Sequence, residues 1–181
     1  MNPKTALVTG VARGIGRAVC EGLVASGYRV FGIDKELVSG REYKVFQIDL
    51  TQVARQGKGC NDLDELTQAV GNTLHVLVHN AALQVVKPVD QVTPEDWTKT
   101  LETNLLAPFQ LTMHFLPQLR QARGSVIHMG SIHTRLTKKN FALYATSKVA
   151  LDGLTRSLAL DLAPEVRINA IHPAATDTEM L

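Results

Sequence analysis

Six short apolar runs recur along the chain, at residues 5–9, 29–33, 44–48, 75–79, 125–129 and 167–171. Most lack the in–out alternation of a strand with one wet face, as strands covered on both sides should. Helical patterns separate them. Residues 15–26 set Ile15, Val19, Leu23 and Val24 on one side, and Gly27 stops that helix. A shorter helix is expected at 62–70. Thr93 begins another, with Pro94 in its first turn and Glu95 and Asp96 at the positive end of its dipole. It runs towards Arg120, and Pro108 and Pro117 are expected to bend or split it. The last helix spans 141–162. Strand, helix, strand, repeated in this way, calls for right-handed crossovers. The expected fold is therefore α/β, a doubly wound parallel sheet with helices on both faces. Residues 51–61, with Gly57-Lys58-Gly59 at their centre, lack P-loop spacing and read as a plain surface loop.

With 181 residues the chain suits a single domain, 1–181, with a substantial core. It is 45% hydrophobic and 20% charged, with a formal net charge of +2 and no block of Lys or Arg, which gives no case for nucleic acid. No apolar run approaches the roughly 20 residues needed to cross a bilayer, so no membrane partner is expected. The opening MNPKTALVTG enters a strand directly and lacks a signal-peptide layout. Cys20 and Cys60 form no CxxC, and a reducing, cytoplasmic setting is the expectation. The six histidines include no HExxH, and no metal is assigned.

Gly10, Gly14 and Gly16 follow the first strand and open the first helix. Bare backbone there lets a phosphate reach the N–H groups at a helix N-terminus. The spacing is G-x-x-x-G-x-G, and the plainer reading is a turn that only lets strand and helix pack closely. Asp34 follows the second strand, where an acid accepts hydrogen bonds from ribose hydroxyls and repels a 2′-phosphate. That favours NAD(H), while Arg13 and Lys35 leave NADP(H) open. In YATSK, Tyr144 and Lys148 share one helix face at i and i+4. Such a pair also occurs on many solvated helices.

Together these strings resemble the short-chain dehydrogenases/reductases, from residue 5 to residue 181. TGVARGIG, including Arg13 and Ile15, resembles the family's cofactor loop, and Asp49-Leu50 the pair that meets the adenine. HNAA, with Asn80 and Ala81, resembles the family's N-N-A-G; His79 and Ala82 are departures. Asn104, Ser131, Tyr144 and Lys148 match the family's catalytic set. HPAATDTEM resembles the segment after the sixth strand, with Pro173 and Thr178 at cofactor-contacting positions and Ala174 replacing a glycine.

The resemblance implies a Rossmann fold with strand order 3-2-1-4-5-6 and hydride transfer between NAD(H) and a secondary alcohol or ketone. Tyr144 would be the acid and base, its pKa lowered by the Lys148 ammonium. Ser131 would hydrogen-bond the reacting oxygen. Lys148 would also hold the nicotinamide ribose, and Asn104 would anchor a water leading from Lys148 to solvent. A non-catalytic dinucleotide-binding module is the alternative. His133 and Gln84 border the expected pocket as weak candidates for substrate contact, whereas His114 and His128 read as structural. Leu101, Leu105, Leu106, Phe109, Met113, Phe115, Leu151, Leu154 and Leu158 exceed what one sheet face covers, and in the family these helices pair across a two-fold axis. A homodimer or homotetramer is expected, the other reading being that these residues line the core. The family usually continues into a further helix, a seventh strand and a substrate lid. The sequence is expected to be the ordered part of such a protein, the other possibility being a truncated one.

Overall fold

The computed structural model describes residues 3–174 and 176. Its strands are β1 (Thr5–Thr9), β2 (Arg29–Asp34), β3 (Lys44–Gln47), β4 (Val76–His79), β5 (Ser125–Met129) and β6 (Arg167–Ile171). All pair in parallel, in the order β3-β2-β1-β4-β5-β6. The expected order is therefore found, and the chain reverses its direction of winding between β1 and β4. Three of the strands match the sequence reading residue for residue, and the other three differ by one residue at one end.

Side chains alternate between two cores, one on each face of the sheet. Ala6, Val8, Val30 and Val78 pack with α1 (Gly14–Ala25). Leu7, Phe31, Ile33, Leu77, Val126 and Ile168 pack with the remaining helices, among them α5 (Ala107–His114) and α7 (Ala142–Asp161). Leu7, Leu77, Leu111 and Phe115 are fully buried, and each such side chain contributes roughly 1.5–3 kcal/mol by leaving water.

The loop expected at 51–61 is not a loop. Leu50–Gln56 forms helix α2, followed by short 3₁₀ turns. The Asp49 carboxylate caps it by accepting from the Thr51 N–H, and Leu50, Val53 and Ala54 fall at helical spacing into the core. α3 (Asp64–Val70) then completes the crossover to β4.

The long helix also departs from expectation. It starts as α4 (Pro94–Leu101), capped by a Thr93–Asp96 capping box, and widens into a π-helical turn at Glu102–Leu106. There the Ala107 N–H reaches back to the Glu102 carbonyl. Pro108, expected to bend or split the helix, stands in the first turn of α5. The π turn lies just ahead, where the proline leaves the Asn104 carbonyl without its usual N–H donor. Pro117 does break the helix, and α6 (Leu116–Ala122) starts anew after Phe115 leaves helical geometry.

Phe115, Leu151 and Leu158 line the core, while Leu106 is exposed. The apolar excess of these helices is thus only partly absorbed by the core. Among the described residues no helix is long and apolar enough to cross a membrane.

His79 and His128 lie opposite one another in the β4–β5 register, with rings 5.2 Å apart. Thr112 of α5 bonds His79 Nε2 at 2.9 Å, and Thr155 of α7 bonds His128 Nδ1 at 2.8 Å. Burial pushes the His79 pKa well below the usual range, with the His128 charge adding to the effect. Burial, and then the Lys148 charge, push His128 down to about 4. A depressed histidine stabilises the fold above its unfolded pKa of 6.5, and that contribution is lost as pH falls towards its folded value. His128 alone is expected to cost on the order of 3 kcal/mol of stability between pH 7 and pH 4. Urea midpoints across this window check the expectation, since His128→Asn should flatten the slope. An unchanged slope in that variant would show that His128 does not carry the effect.

Candidate active site

The carboxyl ends of β1, β2, β4, β5 and β6 carry the candidate residues, and the change of winding opens a crevice between β1 and β4. The crevice is knitted by Thr9 and Asn80. Thr9 Oγ1 accepts from the Asn80 and Ala81 N–H groups, both at 3.0 Å. Asn80 Nδ2 donates to the Thr9 and Gly10 carbonyls at 3.0 and 2.9 Å. The loop is thereby pulled against β4. Gly10 adopts φ +71°, and a Cβ on it would sit 2.7 Å from the Ala81 Cα. A Cβ on Gly16 would come within 2.0 Å of the Gly10 carbonyl oxygen. Two of the three glycines therefore serve close packing.

α1 begins at Gly14 without a side-chain cap and without an acid in its first turn, so among the described residues no capping side chain satisfies its leading N–H groups at the positive dipole end. These features fit a dinucleotide pyrophosphate.

Asp34 is placed by that loop. Its two carboxylate oxygens accept from the Ala12 N–H at 2.8 Å and the Glu36 N–H at 3.1 Å. A fixed anion thus stands at the carboxyl end of β2. Arg13, weighed as a 2′-phosphate partner, reaches Glu36 at 3.4 Å on the surface. Ile15 is half-buried against the α1-side core. Leu50 is buried in the other core, so only its backbone is available to a ligand.

The second half of the site comes from β5 and α7. Ser131 follows β5, is buried, and caps the next 3₁₀ turn through the His133 N–H. Tyr144 and Lys148 face inward from α7, and Lys148 is 2% exposed. The Lys148 ammonium donates to the Met129 carbonyl at 2.7 Å and stands 5.6 Å from the centre of the Tyr144 ring. Ser131 neighbours Tyr144 closely enough to lower its pKa. Ser131, Tyr144 and Lys148 are thus buried neighbours.

Their electrostatics differ from the expectation. Burial raises the Tyr144 pKa, and the group pulling it back down is the Ser131 hydroxyl rather than Lys148. Lys148 is itself so buried that its pKa falls to about 8, with Asp152 opposing the fall. The sequence shows the spacing of the pair, whereas the sign of the shift depends on how deeply it sits.

Asn104 is 1% exposed within the π turn. Its Oδ1 accepts from the Leu83 N–H at 2.7 Å, and its Nδ2 donates to the Leu83 carbonyl and to Ser147 Oγ, both at 2.9 Å. It thus ties the segment after β4 to the residue preceding Lys148. His133 packs its ring 4.7 Å from Phe141 and 6.1 Å, edge-on, from Tyr144, and among the described residues its buried Nδ1 has no hydrogen-bond partner. Gln84 is half-buried beyond β4. Pro173 accepts from the Ile132 N–H at 3.1 Å, which fastens the exit of β6 to the serine loop. Thr178 lies outside the described residues. His114 bonds Thr67 Oγ1 at 2.7 Å, away from the site. Sequence reading missed Thr9, although a threonine directly before the first loop glycine was a visible signal. Among the described residues no group of three or more metal-ligating side chains occurs.

This arrangement defines an α/β nucleotide-binding protein with a buried Ser–Tyr–Lys cluster at the sheet's carboxyl edge. The family model for short chain dehydrogenase matches residues 4–181. Protein FixR of Bradyrhizobium diazoefficiens is 33% identical over 99% of this chain and 69% of its own length. The ligand-free aldohexose dehydrogenase of Thermoplasma acidophilum superposes with a TM-score of 0.90 at 30% identity, covering 99% of this chain and 69% of that one. A short chain dehydrogenase of Shigella flexneri 2a, solved with NADP, gives 0.88 at 28%, covering 99% and 80%. The chain belongs to the short-chain dehydrogenase family of oxidoreductases.

Proposed function

We propose that this protein transfers a hydride between NAD(H) and a secondary alcohol or ketone, with Tyr144 as the acid and base. The observation that carries the reading is the buried convergence of Ser131, Tyr144 and Lys148 beside the β1–β4 crevice. The nicotinamide supplies the hydride when bound, and the protein supplies orientation and proton handling. The backbone of Gly14, Ile15 and Gly16 at the α1 N-terminus holds the pyrophosphate, while Asp34 takes the adenosine ribose. Asp49, Asn80, Ala81, Pro173 and Thr178 complete the cradle. Tyr144, kept protonated by burial, gives its proton to a carbonyl oxygen during reduction and takes one back during oxidation. Ser131 steadies the charge developing on the same oxygen. Lys148 holds the nicotinamide ribose, and Asn104 orders the proton path behind it. His133 and Gln84 meet the substrate. A cytoplasmic homodimer or homotetramer completes the proposal, and exposed Leu106 and Val149 on the helices before and after β5 support the assembly.

The coenzyme preference rests on Asp34. A 2′-phosphate beside its carboxylate meets like charge, and the carboxylate is held in place by two backbone N–H groups. Initial rates on a panel of secondary alcohols and ketones, with NADH and NADPH in parallel, test both points. Turnover is expected with NADH at a higher kcat/KM than with NADPH, and Asp34→Ala should narrow that ratio by about tenfold. An unchanged ratio removes Asp34 from the preference. Saturable NADH binding without turnover on any member of the panel favours a binding module instead.

A further inference from the structure

We propose that Asp152 and His172 are positioning residues for this reaction centre, locking α7 to the exit of β6 and holding both the serine turn and the Lys148 cation. The proposal rests on the hydride-transfer reading above. His172 Nε2 and Asp152 Oδ1 are 2.8 Å apart and join the two elements. The His172 ring packs against Gly130, where a Cβ would approach the ring to 2.7 Å. Gly130 stands between the two residues on which the centre depends. Before it, the Met129 carbonyl receives the Lys148 ammonium; after it comes Ser131. The backbone is zipped at the same place, with the Gly130 N–H donating to the Ile171 carbonyl at 2.8 Å and the Ile132 N–H to the Pro173 carbonyl at 3.1 Å. The histidine–aspartate pair thus buttresses a turn that carries Ser131 and receives the Lys148 ammonium.

The carboxylate has a second use. Asp152 lies one helical turn beyond Lys148 on the same face of α7. Lys148 is almost fully buried, and a buried cation is costly unless something opposes its desolvation. Its neighbours are the Tyr144 ring on α7, the His128 imidazole from β5, which burial keeps neutral, and Asp152, whose negative charge favours the cation. His172 fixes where that negative charge stands.

The test compares Asp152→Asn, Asp152→Glu and His172→Gln with the wild type. ¹³C-lysine labelling follows the Lys148 titration directly, with the resonance assigned by Lys148→Arg, and NADH binding and kcat are measured across pH. In Asp152→Asn the Lys148 titration is expected to move down from about 8 by roughly half a unit or more. The pH limit of NADH binding should follow it, and kcat should fall by about tenfold with little change in KM. Asp152→Glu should restore the titration. His172→Gln keeps the carboxylate and should lower kcat several-fold with the titration nearly in place. A purely structural pair would lower the Tm of these variants and move neither the titration nor kcat. That result overturns the proposal, as does a wild-type titration in Asp152→Asn. If the wild type turns over no alcohol or ketone, the hydride-transfer reading fails, while the lysine titration still decides whether Asp152 sets the Lys148 charge.

Discussion

Tyr144→Phe is expected to lower turnover by about 10³-fold while leaving NADH affinity within about twofold of the wild type. The substitution removes one oxygen and leaves the ring. That ring is wedged between Phe141, 6.0 Å away and edge-on, and the Lys148 ammonium over its face, so its position does not depend on the hydroxyl. Losing the hydroxyl costs about 1 kcal/mol at most, and part of that returns because a polar group no longer has to be buried. The fold should therefore survive, and any loss of rate reports on proton transfer alone. Steady-state rates and fluorescence titration with NADH separate the two quantities. A variant as active as the wild type would remove the phenol from the mechanism.

Gly16→Ala should do comparable damage by a different route. The new methyl group would lie 2.0 Å from the Gly10 carbonyl oxygen and 2.4 Å from Asn80 Nδ2. Neither neighbour can withdraw cheaply, because that carbonyl and that amide are bonded to each other and Asn80 also holds the Thr9 carbonyl. A loss of about 3 kcal/mol in unfolding free energy is expected, with no measurable NADH binding in whatever remains folded. Gly22→Ala is the control. It lies on the same helix with nothing within 4 Å of its added Cβ, and should gain about 0.5–1 kcal/mol. Equal urea midpoints for Gly16→Ala and the wild type would show that the loop is less tightly knitted than these distances imply.

The sheet was legible because its strands carry their burial in their composition. Runs such as TALVT and SVIHM bury nearly every residue, and each is bounded by a glycine or a helix start. The order of the strands came with the family resemblance. The catalytic cluster was legible as spacing, since a tyrosine and a lysine four apart on a helix must share a face. What spacing could not convey was depth. Desolvation outweighs the lowering by Ser131, so Tyr144 is raised where proximity to Lys148 alone predicts a lowering. Helix α2 was hidden for a different reason. Its cap, Asp49, and its first buried residue, Leu50, had been assigned to coenzyme contact, and Gly57 and Gly59 suggested a turn. Yet Leu50, Val53 and Ala54 already stood at helical intervals. Asp152 was equally visible as the next member of the row Tyr144, Lys148, but its partner His172 is distant in the chain. Only the packing of β6 beside β5 brings them together.

The widened turn at Glu102–Leu106 makes the length of this segment as informative as its content. A π turn holds one residue more than the α turn it replaces, and each residue of a helix rotates the chain by about 100°. Excising a single position there would straighten the coil and swing Asn104 off Leu83 and Ser147, although every side chain in the site would still be present. Direction at this point is thus written as a count of residues, and a one-codon deletion would erase it where many substitutions would not.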